Sequence, residues 1–172
     1  GLIQNITYNE FLPSTLGFNA IPTYSGYDPT INPQISNEFT TAAYRIGHTT
    51  LSNELLVAGG DPIALADAFF QPQFVLDNGI DSLLAGLTDQ KMQEVDNQIV
   101  DGVRNFLSDG PGFDLAAINI QRGRDHGLPD INTMRESLGL KPCGDFSEMT
   151  SNAELAQMFE DVYGTPDNAD PW

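Results

Sequence analysis

Positive charge is scarce in this chain and is concentrated in two short runs. Three of the five arginines and both histidines lie in residues 43–49 and 119–127, while the whole chain has a net charge of -17. The runs read Ala-Tyr-Arg-Ile-Gly-His-Thr and Asn-Ile-Gln-Arg-Gly-Arg-Asp-His-Gly. This concentration indicates that the fold surrounds an anionic group, and that the same site contains a centre able to bind a side-chain ligand.

The composition is that of a globular domain. The 172 residues and 40% apolar content suit one domain, and no run approaches the roughly 18 apolar residues of a membrane helix. The acidic balance would repel phosphate, which argues against nucleic acid as a partner. Cys143 is the single cysteine, so no disulfide forms within the chain. Both ends resemble cut ends, and we expect a piece of a larger protein.

Apolar spacing predicts a mainly α fold, because strand-like alternation is scarce. Residues 9–34 are predicted to be extended and loop-rich. Asn32 followed by Pro33 predicts the start of a helix that runs to about Leu56 and, being apolar on two faces, buries His48. Further helices are predicted over residues 61–70, 80–87, 93–107 and 129–138 and from a capping box at 151–154 to Tyr163, with a break at Gly110-Pro111-Gly112.

His48 is the first candidate for chemistry. A single histidine on a buried helix is more often a core residue satisfied by a local hydrogen bond. Here Arg45 lies one turn earlier on nearly the same face, and Gly47 removes a side chain beside the imidazole. A buried arginine beside a buried histidine is unfavourable unless an anion pairs with it. A flat ligand that carries carboxylates and needs one axial nitrogen would satisfy both residues.

Asn119 is the second candidate. The charged run that follows it predicts a segment leaving the core, and a surface loop in which Asp125 pairs with an arginine would explain Arg124 and His126. Such a loop does not explain Asn119, because an unpaired buried amide is costly. A metal-bound imidazole needs its second nitrogen held, and an asparagine oxygen can accept that N–H. The sequence is compatible with an Asn119–His48 pair, which only the fold can bring together.

These residues resemble the animal haem peroxidase family, also called the peroxidase-cyclooxygenase superfamily. The resemblance covers residues 1–172 and corresponds to the C-terminal half of the family's catalytic domain. It implies an incomplete helical haem peroxidase-like domain that supplies the proximal side of the haem. Besides the two runs it rests on the order of Ile6-Thr7-Tyr8, Phe11-Leu12-Pro13, Gly79-Ile80-Asp81, Leu128-Pro129 and Tyr163-Gly164-Thr165-Pro166-Asp167-Asn168.

The resemblance implies roles for four residues. His48 corresponds to the axial ligand of the haem iron, and Asn119 corresponds to the amide that accepts the N–H of that imidazole. Arg45 and Arg122 correspond to arginines near the haem propionates. The remaining charged residues of the second run match the family motif without touching iron, and we expect them to be structural.

The resemblance also implies an activity and its partners. The expected enzyme is a haem-dependent peroxidase that uses hydrogen peroxide to oxidise a halide or an organic donor, as in a response to oxidative stress. The expected cofactor is haem of the b type. The distal histidine, the distal arginine and a possible calcium site belong to the family's N-terminal half, so the remainder of the domain is an expected partner and the fragment is not expected to be active alone. The family also favours an extracellular or secreted location.

Two other functions remain open. A peroxidase-like module for adhesion or assembly would lack the distal machinery, and the sequence before Gly1 would distinguish it from an enzyme. A fatty-acid dioxygenase of the same superfamily would use a tyrosyl radical. Tyr44 lies one turn before His48, but we expect it to pack against the core.

Overall fold

The computed structural model describes residues 1–105 and 114–172 and divides the chain into two compact units, Gly1–Gln34 and Ile35–Trp172. Helices dominate the described residues, where the β structure is limited to two short antiparallel strands, Glu54–Leu55 and Ile63–Ala64. The mainly α fold expected from the sequence is therefore confirmed. No helix in the described ranges is long and apolar enough to cross a lipid bilayer.

The first unit is helical at its start, where the sequence predicts an extended chain from residue 9 onward. Helices Leu2–Ile6 and Leu12–Leu16 flank a π-helical turn, Thr7–Phe11. Pro13 misleads because it lies in the first turn of its helix, where a missing N–H costs little. The helix ends at Gly17, whose φ of 94° suits glycine. The rest of the prediction holds, since residues 18–34 contain neither helix nor strand.

The second unit consists of short helices joined by loops. Its described helical segments are Asn37–Thr41, Ala43–His48 (3-10), Leu65–Ala68, Pro72–Asn78, Ile80–Asp89, Asp101–Arg104, Leu115–Asp125, Ile131–Ser137, Phe146–Glu148 (3-10), Ala153–Tyr163 and Pro166–Asn168 (3-10).

The predicted continuous helix over residues 33–56 is wrong. Ser36 caps the first helical piece, because its hydroxyl accepts a hydrogen bond from the backbone N–H of Phe39. Asn32 instead accepts the backbone N–H of Gln34 at 3.1 Å, a local turn that competes with helix capping. The backbone then leaves helical geometry at Ala42, with φ -120° and ψ -75°.

The predicted burial of both faces of this region is also wrong. Tyr44 is 72% exposed and Ile35 is 69% exposed, while His48 is half-buried. Most of the apolar side chains at this spacing are therefore not covered by other described residues. Thr41 and Ala42, where the two helical pieces meet, are buried.

Two predicted helices are shorter in the structure. The segment predicted over residues 61–70 contains a helix from Leu65 to Ala68, and the one over 93–107 is helical from Asp101 to Arg104 within the described residues. The start of the segment over 93–107 lies beside the residues that follow His48, since Gln93 donates its backbone N–H to Thr50 O at 3.0 Å. Residues 106 and 107 and the predicted break at 110–112 lie outside the described residues.

The helices with strong local end signals are confirmed. Helix Ile80–Asp89 matches the prediction over 80–87, and Ile131–Ser137 matches 129–138. The last long helix, Ala153–Tyr163, ends at Gly164, whose φ is 77°, as predicted, but its cap is the Asn152 side chain and not the capping box predicted at 151–154. Around it a small core forms from Phe146, Ala156 and Ala169, with Ile131, Phe159 and Tyr163 packed against them.

Gly86, in helix Ile80–Asp89, provides a test of how this helix packs against Leu56. A Cβ at Gly86 would overlap the backbone carbonyl of Leu56, so Gly86→Ala should destabilise the protein by about 1–3 kcal/mol. In an exposed helix the same change would stabilise by about 1 kcal/mol. Thermal unfolding of the full-length protein measures the sign.

Gly60→Ala is the matched control, because a Cβ there would meet Val57 at an ordinary 3.5 Å. Its effect should stay within about 0.5 kcal/mol. A stabilised Gly86→Ala variant would contradict the packing of this helix against Leu56.

Candidate functional site

His48 ends the 3-10 helix Ala43–His48. The turn beyond it is fixed locally, because the backbone N–H and the hydroxyl of Thr49 both donate to Ile46 O, at 2.9 and 2.8 Å. A Cβ added at Gly47 would meet no described atom within 4 Å. The segment is therefore open at Gly47, the residue directly before His48, and His48 stands at the end of a fixed turn.

Asn119 lies in the middle of helix Leu115–Asp125 and is 1% exposed. Asp114 starts this helix by accepting the backbone N–H groups of Ala116 and Ala117, at 2.8 and 3.2 Å. The surface loop that the sequence offers as an alternative for the charged run is wrong, because the helix continues through the run to Asp125. The charged residues of the run lie on exposed positions, so the run leaves the core on one face of a helix.

The structure brings Asn119 and His48 together across 71 positions. Asn119 Nδ2 lies 2.7 Å from His48 Nδ1, and Asn119 Oδ1 is buried without a hydrogen-bond partner among the described residues. The resemblance predicts that the amide oxygen of Asn119 faces the imidazole, whereas the amide nitrogen faces it in this structure. The two edges have nearly the same shape. Half a turn of the amide would place Oδ1 as acceptor of Nδ1–H and leave Nε2 free to bind a metal.

The surroundings of His48 favour its neutral form. Burial lowers the pKa of His48 below its ordinary value, and the nearby charge of Arg45 lowers it further. A neutral imidazole is the form that binds a metal. In the described ranges no group of three or more histidine, cysteine, aspartate or glutamate side chains could hold a metal ion.

The two candidate arginines have different environments. Arg45 is half-buried, and its Nε is buried with no hydrogen-bond partner in the part of the chain that the structure describes. Arg122 is exposed and forms no ion pair with another described residue. A buried guanidinium nitrogen without a partner is unfavourable. Arg45 therefore has a vacant donor beside His48, as an anionic ligand would require.

The other charged residues of the second run form structural contacts. Arg124 binds Asp170 through two hydrogen bonds, Nε at 2.9 Å and Nη2 at 2.6 Å. Asp125 accepts from Gln121 on the same helix at 2.8 Å instead of pairing with an arginine. His126 contacts Asn37, 89 positions earlier. Asn37 and Asp170 were missed in the sequence, because no local pattern marks a residue whose partner is distant.

A large cavity in the second unit lies next to these helices but is not the candidate site. It has a volume of about 700 Å³, and its described lining includes Ala42, Ile46, Ile120, Phe159 and Trp172. His48, Arg45 and Asn119 do not line it. The cavity is mostly apolar, so it does not explain the vacant polar atoms beside His48.

Comparison with known proteins decides the family. The profile of the animal haem peroxidase family matches residues 1–172. The chain belongs to this family. The haem peroxidase segment is 38% identical to Peroxinectin A of Dictyostelium discoideum over 178 residues, covering 99% of this chain and 33% of that protein. It is 41% identical to lactoperoxidase of Mesocricetus auratus over 192 residues, covering 99% of this chain and 27% of that protein.

A solved structure gives the same answer for the fold. Peroxidase A from Dictyostelium discoideum superposes with a TM-score of 0.88 at 36% identity, covering 99% of this chain and 34% of that chain. The haem peroxidase segment therefore spans about a third or less of the length of these proteins. Its helical fold is that of the family.

The residues present fit a haem. With the amide turned, His48 would offer Nε2, to which the described residues make no hydrogen bond. Arg45 has a buried donor without a partner, which suits a propionate. Gly47, directly before His48, has no described atom within 4 Å of the position of an added Cβ, chain neighbours aside. These three features share one short segment of six residues.

The Asn119 contact can be tested through the haem iron. In Asn119→Asp, a carboxylate would accept Nδ1–H more strongly and make the imidazole a better electron donor, so the reduction potential of the iron should fall. A spectroelectrochemical titration of the full-length haem protein measures it. Gln121→Glu is the control, since it makes the same change of charge on the same helix at an exposed position. An unmoved potential in Asn119→Asp would contradict the contact.

Proposed function

We propose that residues 1–172 form the proximal half of the catalytic domain of a haem peroxidase. The enzyme would use hydrogen peroxide to oxidise a halide or a small organic donor. The observation that carries this proposal is the contact of 2.7 Å between Asn119 and His48, beside a buried arginine nitrogen without a described partner. Family membership supplies the reaction class.

His48 would bind the haem iron through Nε2, and Asn119 would hold Nδ1–H and so fix the plane and tautomer of the ring. Arg45 and Arg122 would bind the propionates, Arg45 from a half-buried position and Arg122 from an exposed one. When bound, haem of the b type supplies the iron that is oxidised by hydrogen peroxide and reduced by the donor. A neutral amide polarises the imidazole less than a carboxylate would, which favours a strongly oxidising iron.

The remainder of the domain is the proposed partner of this chain. It would supply the distal histidine and arginine that move the proton of hydrogen peroxide, and a calcium site could also lie there. The segment by itself would not be active, because half of the site is elsewhere. We propose that the enzyme is extracellular or secreted.

The two alternative functions have less support from the described contacts. The dioxygenase hypothesis requires a role for Tyr44, but this ring is exposed and packs at 5.8 Å from Phe39, with the ring planes tilted by 41°. A non-catalytic adhesion or assembly module would leave the vacant donor of Arg45 unexplained unless it also binds haem. The residues that precede this segment in the full protein would distinguish the module from the enzyme.

Loss of the axial ligand is the direct test. In full-length protein, His48→Ala should abolish or shift the haem absorption band and remove peroxidase activity. Tyr44→Phe, one turn away, should change neither under the peroxidase hypothesis. An unchanged spectrum in His48→Ala would show that His48 is not the ligand, whereas loss of a tyrosyl radical signal in Tyr44→Phe would favour the dioxygenase.

The role of Arg45 has its own test. Arg45→Gln keeps much of the side-chain volume but removes the charge, so haem should dissociate several-fold faster because a propionate loses its partner. Transfer of haem to an excess of apomyoglobin measures this rate. Arg104→Gln is the control, since Arg104 is already paired with Asp101 at 2.6 Å. Equal dissociation rates for the Arg45 variant and the wild type would exclude the propionate contact.

A further inference from the structure

Asn37 and His126 form a pair of reciprocal hydrogen bonds, which we call the clasp. The Asn37 side-chain Nδ2 donates to the backbone oxygen of His126 at 3.2 Å, and the ring nitrogen Nδ1 of His126 lies 3.0 Å from Asn37 Oδ1. With the proton on Nδ1, the ring donates and the amide oxygen accepts. One residue thus satisfies a backbone carbonyl at a helix end and a side chain at the same time.

The clasp joins the helix that carries Asn119 to the helix that precedes the His48 segment. His126 caps the C-terminal end of helix Leu115–Asp125, seven residues beyond Asn119. Seven residues make nearly two turns, so the two positions lie on similar faces about 10 Å apart along the axis. A displacement of the helix end at His126 would therefore move the Asn119 amide with it, because both belong to one helix.

On its other side the clasp connects to the His48 segment. Asn37 is the first residue of helix Asn37–Thr41, and the Thr41 hydroxyl donates to the Asn37 backbone oxygen and lies 3.4 Å from its Oδ1. Thr41 is buried and precedes Ala42, where the backbone turns into the 3-10 helix that ends at His48. The side chain that holds His126 is thus itself fixed next to this turn.

We propose that Asn37 and His126 are positioning residues that set the distance between Asn119 and the His48 imidazole, and through it the electron donation from that imidazole to iron. The proposal rests on the proposed function and deepens it. A hydrogen bond of 2.7 Å weakens steeply when its partners separate. The clasp is a direct side-chain contact between the two helices near this bond.

Four variants of the full-length haem protein test the clasp. Asn37→Ala removes both hydrogen bonds and His126→Ala removes one. His126→Asn restores the donor, because an asparagine nitrogen occupies nearly the position of Nδ1. Gln121→Ala is the control, since its hydrogen bond to Asp125 stays within one helix. The readouts are the iron–imidazole stretching band in resonance Raman spectra of the ferrous protein, the reduction potential and the unfolding temperature.

We expect the stretching band to move to lower frequency and the potential to rise in Asn37→Ala, with a smaller change in the same direction in His126→Ala. His126→Asn should return both values toward those of the wild type, and Gln121→Ala should leave them unchanged. If Asn37→Ala does not retain haem, the comparison of His126→Ala with His126→Asn decides.

Two results would overturn the clasp while leaving the proposed function intact. One is a lower unfolding temperature in the clasp variants with an unmoved band, which would mean a structural contact only. The other is an equal band shift in Gln121→Ala, which would mean that any change in this helix has the same effect. Failure of the proposed function looks different, because His48→Ala would then keep the wild-type haem spectrum.

Discussion

The contact between the Asn119 carboxamide and the His48 imidazole is the constraint around which the second unit is organised. Asn119 is almost fully buried, and a buried amide without a partner is costly. Its helix must therefore lie where the amide can reach the imidazole, at 2.7 Å. The contacts at the end of that helix, Arg124 to Asp170 and His126 to Asn37, hold it in that place from two directions.

The scarce positive charge divides into two uses. Arg124 is used within the fold, since Asp170 has a side chain only 12% exposed and receives two hydrogen bonds from the guanidinium. Arg45 is used differently, because its buried nitrogen has no partner among the described residues. Two arginines of a very acidic chain thus differ, since one is paired with a carboxylate and the other has a buried Nε without a described partner. Arg45 lies beside His48, which is the electrostatic basis for proposing an anionic cofactor there.

Predicted helices whose ends carry clear local signals are confirmed, whereas the prediction that rests on apolar spacing is less accurate. Helix Ala153–Tyr163 is confirmed because both of its ends carry local signals, although Asn152 caps it in place of the predicted capping box. The continuous helix predicted over residues 33–56 is wrong, because local hydrogen bonds make Ser36 the cap and hold Asn32 in a turn, and because the backbone leaves helical geometry at Ala42. The burial predicted for residues 33–56 is too high, because apolar periodicity marks a helix face that needs a partner without specifying which part of the protein covers it.

The sequence by itself predicted the helical class from apolar spacing and, through the resemblance of its motifs, the family and the four candidate residues. The tertiary structure decided which of these residues meet. Asn119 and His48 are 71 positions apart, and Asn37 and His126 are 89 apart. No local pattern specifies such pairs, since their energy arises only when packing removes polar groups from water and leaves them one another as partners. The structure also decided that Arg124 pairs with Asp170 while the buried Nε of Arg45 has no partner among the described residues. The sequence does not show this difference, because both residues carry the same charge.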